Sequence, residues 1–533
     1  MQKSFLEFSK TGILPALTSD YLDNEKSLTE FYNLRPEISS FEKAIEQKQK
    51  ENTDRKLLAE ALNEQYKNIF SEDFEFNSKV KTNIDSLLSE NTFTVTTGHQ
   101  LSLFTGPLYY IYKIISTINL SEKLKQQYPK YNFVPVYWMA SEDHDFEEIN
   151  HIHLFGKKIV WNQNQKGASG KISTDSIKPV LEELKSLSGV NENSTKLFSL
   201  FEKAYLENNN LADATRTLVH SLFSKYGLVI LDGDDKKLKT SFSEIMEDDL
   251  KNNSAFKNIT ETIQKLDKKY KLQVNPREIN LFYLSSGMRE RIVYESSKFK
   301  VQSSDITFSE NEIKDELKNH PENFSPNVVL RPLYQEKILP NLAYVGGPGE
   351  INYWLEYKTM FDFYKINFPV LILRNSVLLT DATMTSKMNK LDVTVADLMQ
   401  PEDTMIKNYI SKKSGASISL QKEVNEVENI FENIKQKADQ HDPPLLASIE
   451  GEKHKVLNSL KNLETKLTRA EKKKEEININ QLKKLREKIL PANSFQERYE
   501  NVIPFYLKYG DDFFKSLKEN LDPFDFRLVV LED

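Results

Sequence analysis

The sequence predicts an α/β protein: a parallel-sheet core interrupted by helical insertions, with an antiparallel coiled-coil hairpin towards the carboxyl end. Three observations carry this expectation. Short runs of β-branched and aromatic residues alternate with helical stretches, as strand–helix–strand units do. Several of these runs end in glycine or in clustered carboxylates, which would gather polar groups along the edge of a parallel sheet where ligands bind. From Leu420 onward, apolar residues step by four and three along two long segments, the seam of a coiled coil. At 533 residues the chain also exceeds one ordinary domain.

Taken in order, residues 1–90 read as a helical layer, with Phe41, Ile45, Leu57, Leu58, Ala61 and Leu62 set among Lys, Glu and Gln. The core opens over 91–162. Thr92 to Thr97 suits a strand, the chain breaks at Gly98 and at Gly106-Pro107, and Leu108, Ile111, Ile115, Ile118 and Leu124 then recur near helical spacing. A second strand, Phe133 to Met139, runs into Ser141-Glu142-Asp143-His144-Asp145, and a hairpin follows from His151 to Trp161. A polar helical insertion occupies 163–225. The core strand of 226–235 ends in Asp232-Gly233-Asp234-Asp235, where capping of the next helix is the simplest role.

A second insertion, 236–326, starts helical and closes with a hairpin of Ile279–Leu284 against Arg289–Tyr294. The core resumes over 327–400: a helix carrying Gln335 and Glu336, a strand at Leu342–Val345, and a strand from Phe368 to Leu373 ending at Arg374. The coiled coil spans 418–490. One seam runs through Leu420, Val424, Val427, Phe431, Ile434 and Ala438, the other through Ile449, Val456, Leu460, Leu463, Leu467, Ala470 and Ile477, with His441-Asp442-Pro443-Pro444 as the breaker between them. Residues 491–533 bring Tyr499, Phe505, Tyr506, Phe513 and Phe514 back onto the core.

The chemistry concentrates at the strand ends. Gly98 allows a steep turn and close approach to the backbone, and the amides opening the next helix would favour a phosphate. Thr97, Gly98, Gly106 and Pro107 are therefore expected at a nucleotide, with His99 and Gln100 donating to it. The spacing fits neither G-x-G-x-x-G nor a Walker A loop, and is closer to the short Gly/His signature of class I aminoacyl-tRNA synthetases. Gly346-Gly347-Pro348-Gly349-Glu350 is too rich in glycine and proline for a helix interior and reads as a tight loop offering bare amides, with Glu350 and Trp354 on the following helix. Asp143, Asp145 or Glu350 would hold amino groups, Glu142 lies beside them, and His144 is the candidate general base. Arg277, Arg331 and Arg374, with Gln335 nearby, are candidates for binding carboxylates.

Six segments in this order, TGHQLSLFTGPLYYIYK, VPVYWMASEDHDFEEINH, YGLVILDGDD, NPREINLF, RPLYQEKILPNLAYVGGPGEINYWLEY and LPANSFQERYE, resemble the BshC family across nearly the whole chain. The resemblance implies a Rossmann-like core related to class I synthetases and a coiled coil that pairs two protomers. It also implies a reaction: joining cysteine to glucosaminyl-malate to give bacillithiol. Such a ligase would need ATP or another nucleotide, with Mg2+ only as its counter-ion, and Gln496 and Arg498 of the last segment become candidate nucleotide contacts. One departure is His99, where the family pattern leads us to expect Gln; its charge would then depend on pH.

Composition narrows the alternatives. A net charge of −7 argues against bulk nucleic-acid binding, and no apolar run approaches the ~20 residues of a membrane span. The amino terminus lacks the apolar stretch and cleavage site of a signal peptide. Cysteine is absent, which excludes disulfides, thiolate metal sites and thiol nucleophiles and suits a cytoplasmic protein. Two other readings stay open. His99, His144, His151 and His153 beside the 142–148 carboxylates suggest a metal-dependent hydrolase, although neighbours such as Asp143, His144 and Asp145 point apart and share an ion poorly. The coiled coil alone suggests a scaffold or binding protein.

Overall fold

A computed structural model describes residues 2–70, 78–413, 419–441 and 444–533. Asp442 and Pro443 of the expected breaker, and residue 418 at the expected start of the coiled coil, lie outside the described residues. The chain divides into two units, one of residues 1–378 with 497–531 and one of residues 379–496 with 532–533.

In the first unit ten of the described strands form the two five-stranded sheets. They are β1 (Thr92–His99), β2 (Asn132–Met139), β3 (Val229–Asp232), β4 (Leu281–Ser285), β5 (Met288–Glu295), β6 (Lys298–Val301), β7 (Thr307–Phe308), β8 (Phe324–Pro326), β9 (Asn341–Gly346) and β10 (Val370–Leu373). The core sheet has the order β10-β9-β1-β2-β3 with every pairing parallel. Read by chain position from the other edge, this is the 3-2-1-4-5 order of a Rossmann-like sheet, which reverses direction between β1 and β9. Both faces are covered, so the strands read as nearly unbroken buried runs: every residue of β1 before His99 is buried. Phe93, Val95, Leu342, Val345, Val370 and Ile372 pack in one cluster with Leu120 and Leu124 of the crossover helix α1 (Tyr109–Gln127). That helix is buried from Tyr110 to Ser121 on all sides, more than the one-sided spacing of Ile111, Ile115 and Ile118 required.

The second sheet is antiparallel, in the order β7-β6-β5-β4-β8, and is built wholly from the 236–326 insertion. Its first hairpin pairs Phe282 with Arg291 and Leu284 with Arg289, close to the register expected from sequence. Asn327 follows β8 directly, and its Oδ1 accepts from the amides of Val329 and Leu330 at 2.8 and 3.3 Å, opening α2 (Leu330–Ile338). Past β9 the glycine-rich turn leads into α3 (Pro348–Leu355). Asp235 caps the helix Lys236–Thr240, accepting from the amides of Lys237 and Leu238 at 2.9 and 3.1 Å, the structural role expected of that carboxylate run.

The second unit contains the helices α4 (Gln421–His441), α5 (Leu445–Lys474) and α6 (Glu476–Ile489). Lys453 Nζ lies 3.2 Å from Glu432 Oε1, and Lys435 pairs with Glu450; these crossed pairs fix α4 and α5 as antiparallel. The seam on α5 corrects the sequence reading. Leu446, Ile449, Lys453, Leu457 and Leu460 are half-buried against α4, whereas Val456, Leu463 and Leu467 are 38%, 50% and 49% exposed. One residue of shift is about 100° around a helix, so two apolar stripes share α5 and only one faces α4.

Candidate active site

A cavity of about 720 Å³ opens where β1 and β9 part at their carboxyl ends, the switch point of the core sheet. One wall is Gly98 and His99 at the end of β1 with Gln100 after it, a second is Gly347 to Glu350 after β9, and the antiparallel sheet contributes Leu281, Phe282, Arg289 and Arg291. Six arginines and one lysine line it, against the carboxylates of Glu142, Asp143 and Glu350. Such an excess of cations suits an anionic ligand.

The centre is a network that the sequence reading missed. Lys113 of α1 is only 2% exposed, and its ammonium donates to the Gly98 carbonyl and to Glu350 Oε2, the latter at 2.7 Å. Glu350 also accepts from Tyr344 OH at 2.5 Å and from the Gly347 amide at 2.7 Å. Burial pulls the Lys113 pKa below the usual lysine value, against the opposing pull of Glu350. Burial would raise the Glu350 carboxyl, but the charge and hydrogen bond of Lys113, with the hydrogen bonds from Tyr344 and Gly347, together outweigh it and its pKa falls. Lys113 is the sole charged residue from Leu108 to Ser121, and a lysine inside an apolar helix was the available signal.

Two arginines, Arg331 half-buried and Arg374 buried, hold unsatisfied donors at the cavity. Arg331 donates through Nη1 to Gln335 Oε1 at 3.0 Å while its Nη2 has no hydrogen-bond partner. Arg374, 2% exposed, donates to Glu497 Oε1 at 2.6 Å and to the Asn375 carbonyl at 3.0 Å, and leaves Nε unpaired. Arg277, Arg291 and Arg498 line the cavity as exposed side chains. Arg289 stacks over Phe282, 3.9 Å from the ring centre, and donates to Ser325 Oγ at 3.2 Å.

The expected acidic cluster separates into different roles. Gln100 Nε2 donates to Asp143 at 2.6 Å and to Glu148 at 2.8 Å, setting Asp143 at the cavity edge. Glu142 pairs with the buried Lys239 at 2.7 Å, and Asp145 caps the short helix Phe146–Ile149. His144 is exposed and lies off the cavity lining, with Nδ1 2.8 Å from Arg289 Nη1. A guanidinium can only donate, so Nδ1 accepts and the neutral ring carries its proton on Nε2. In that arrangement His144 has no lone pair for a general base. His151 and His153 pack edge to face on their hairpin, and His153 stacks on Tyr499. Among the described residues no three His, Asp or Glu side chains are grouped to hold a metal ion, so the geometry does not favour the hydrolase reading.

His99 is half-buried between Tyr109 and Tyr110, with Nδ1 3.0 Å from the Gln100 carbonyl. Burial and then the Lys113 charge lower its pKa to about 4, so the ring is neutral at neutral pH and not the switch that sequence suggested. The unfolded ring protonates near pH 6.5, so this residue's contribution to stability falls as pH drops from about 6.5 towards about 4. We expect His99→Gln to lose stability less steeply than the parent across that window, measured by urea unfolding at pH 7 and pH 5.

Several expected contacts do not reach the cavity. Thr97 ties the two central strands together through Oγ1 and the Val345 carbonyl, 2.8 Å apart. Gly106 is needed for its own turn, since at φ +58° an added Cβ would stand 2.6 Å from Ser102 Cβ, and Pro107 bridges to Asn501. Gln335 is fully buried and acts on Arg331, while Trp354 packs between Tyr344 and Phe361 in the core. Gln496 commits its amide to the Leu379 main chain at 2.9 and 3.0 Å. Gly98, Gln100, Gly347, Gly349, Glu350, Arg277, Arg331, Arg374 and Arg498 do converge on the one cavity.

Comparison with known proteins agrees with this architecture. Residues 1–375 match the family model described as "Bacillithiol biosynthesis BshC, N-terminal Rossmann-like domain", and residues 377–532 match the corresponding "C-terminal coiled-coil domain". The chain is 44% identical over 526 residues to a Flavobacterium psychrophilum protein, covering 98% of each. It is 43% identical to a Flavobacterium johnsoniae protein over the full length of both, and each relative bears the name "Putative cysteine ligase BshC". With both halves matched in order and relatives aligned end to end, the chain belongs to the BshC family of bacillithiol biosynthesis.

Proposed function

We propose that this enzyme is a cysteine ligase that joins the carboxylate of cysteine to the amine of glucosaminyl-malate, forming bacillithiol. The observation that carries the reading is the cation-lined cavity at the sheet switch point, in a chain whose relatives carry the cysteine ligase name. A carboxylate does not expel oxide, so it is first activated. One carboxylate oxygen attacks phosphorus of ATP or another nucleoside triphosphate, and the phosphorus–oxygen bond to the departing phosphate breaks with its electron pair. The sugar amine then attacks the acyl carbon, the carbon–nitrogen bond forms, the phosphate ester leaves, and the amine proton passes to a base or to water. Mg2+ enters with the nucleotide.

The residues divide this work by environment. Asp143, fixed by Gln100, receives the amine at the cavity edge. Arg291, exposed on the antiparallel-sheet wall, and Arg277, exposed on the segment that leads into that sheet, meet the malate carboxylates, because a guanidinium takes a carboxylate bidentately. Glucosaminyl-malate at a hundredfold excess over its Kd is expected to stabilise the fold by about 2.7 kcal/mol. A thermal scan and a calorimetric titration that register no effect of this ligand would remove the ligase reading.

The same reading includes a homodimer through the coiled coil. Val456, Leu463 and Leu467 form an exposed apolar stripe on α5, with Ile430 and Ile434 exposed on α4, and a second copy would cover them. Replacing Val456, Leu463 and Leu467 with Glu is expected to convert a dimer into a folded monomer by light scattering. A parent protein that already runs as a monomer at micromolar concentration contradicts this.

A further inference from the structure

The loop after β1 attracts attention for phosphate binding because of Gly98, but the strand–turn–helix unit that faces the cavity lies across the switch point. After β9 the chain needs only Gly347 before α3 begins at Pro348. After β1, by contrast, nine residues intervene before α1, and Gly106 and Pro107 at its approach do not line the cavity. The amino end of α3 therefore lies at the switch point; Pro348 has no N–H and the Gly347 amide serves Glu350, so the amides of Gly349 and Glu350 are the ones it presents.

A buried, unsatisfied donor faces that helix end. Arg374 is 2% exposed and its Nε has no partner. A Cβ on Gly347 would stand 3.6 Å from this atom and 3.3 Å from Glu350 Oε2, so the missing side chain leaves a space bordered by the guanidinium on one side and the Glu350 carboxylate on the other. Lys113 borders the same space through Glu350. Two of its three N–H groups go to Gly98 and Glu350, which leaves one for a ligand. Glu350 already accepts from three donors, so it acts as the part that fixes Lys113 and Gly347.

We propose that Gly347, the amino end of α3, Arg374 Nε and Lys113 Nζ form an oxyanion subsite, and that its occupant is a phosphate group of the activating nucleotide. The subsite deepens the ligase reading by moving phosphate from the β1 loop to the β9 turn. A malate carboxylate shares the same chemistry and is the other source to be distinguished.

Gly347→Ala is the direct test. Its φ of −75° and ψ of 171° suit alanine, so the fold is retained while the methyl group fills the space. The full-length parent, Gly347→Ala and Lys113→Met are titrated calorimetrically with pyrophosphate, ATP and malate, with circular dichroism verifying folding. The expected result is that pyrophosphate and ATP bind the parent and that each variant loses about tenfold or more in affinity, the scale of a lost charge-assisted hydrogen bond. Loss confined to malate would keep the oxyanion subsite and assign it to the carboxylate. A parent that binds none of the three, or a folded Gly347→Ala that binds them as the parent does, overturns the subsite. Because binding is read without turnover, a parent that binds pyrophosphate yet makes no ligation product defeats the ligase reading alone.

Discussion

Replacing Glu497 with Ala is expected to lower the stability of the Rossmann-like unit by about 3–5 kcal/mol, the scale of breaking one side of a buried ion pair. Glu497 and Arg374 are 1% and 2% exposed as side chains and meet at 2.6 Å. The carboxylate also accepts from Ser376 Oγ and the Val377 amide, both at 3.2 Å. Removing it strands a buried guanidinium and two further donors. Urea unfolding should show the midpoint shift, and pairing Glu497→Leu with Arg374→Met should recover part of the loss by taking both charges away together. A single Glu497→Ala variant as stable as the parent would mean that the pair contributes little to this fold.

Lys113→Met is expected to reduce kcat by about 10²–10³, the scale of losing one preorganised donor to developing charge. The side chain is anchored by Gly98 and Glu350, so it has little to reorganise during reaction. Methionine keeps the length and apolar packing while removing the charge. Lys113→Arg should lie between the two, because the wider guanidinium keeps the charge but not the point geometry. An effect on KM alone would assign Lys113 to ground-state binding, and unchanged kinetics in a folded variant would remove it from the chemistry.

Much of the fold was legible because the core strands are short apolar runs between clear turn signals, and because the three/four apolar step persists along two long segments joined by a short breaker. Strand ends were legible too, since a glycine or a carboxylate run marks four of the five in the core sheet, while β10 ends at Arg374. The sequence did not tell which strand end carries its helix closest to the ligand, because that depends on how β1 and β9 neighbour each other in space. It likewise could not separate polar residues that face the cavity from those that serve other side chains. Gln335 holds Arg331, and Gln496 holds a main-chain segment. His144 stood out by type and neighbourhood, yet Arg289, 145 positions away in sequence, takes its lone pair. On α5 two stripes lie one residue apart, and only the packing of α4 decides which is the seam.

Carboxylate activation followed by amide formation in one cavity is tested most directly by a single measurement. Purified protein is incubated with cysteine, glucosaminyl-malate and ATP, and the thiol product is followed by mass with and without chelator. We predict the mass of bacillithiol together with nucleotide consumption, with chelator acting through the Mg2+ that accompanies ATP, and a greatly slowed reaction for Lys113→Met. No product with any nucleoside triphosphate, or release of amine or acid without nucleotide, would contradict the ligase account.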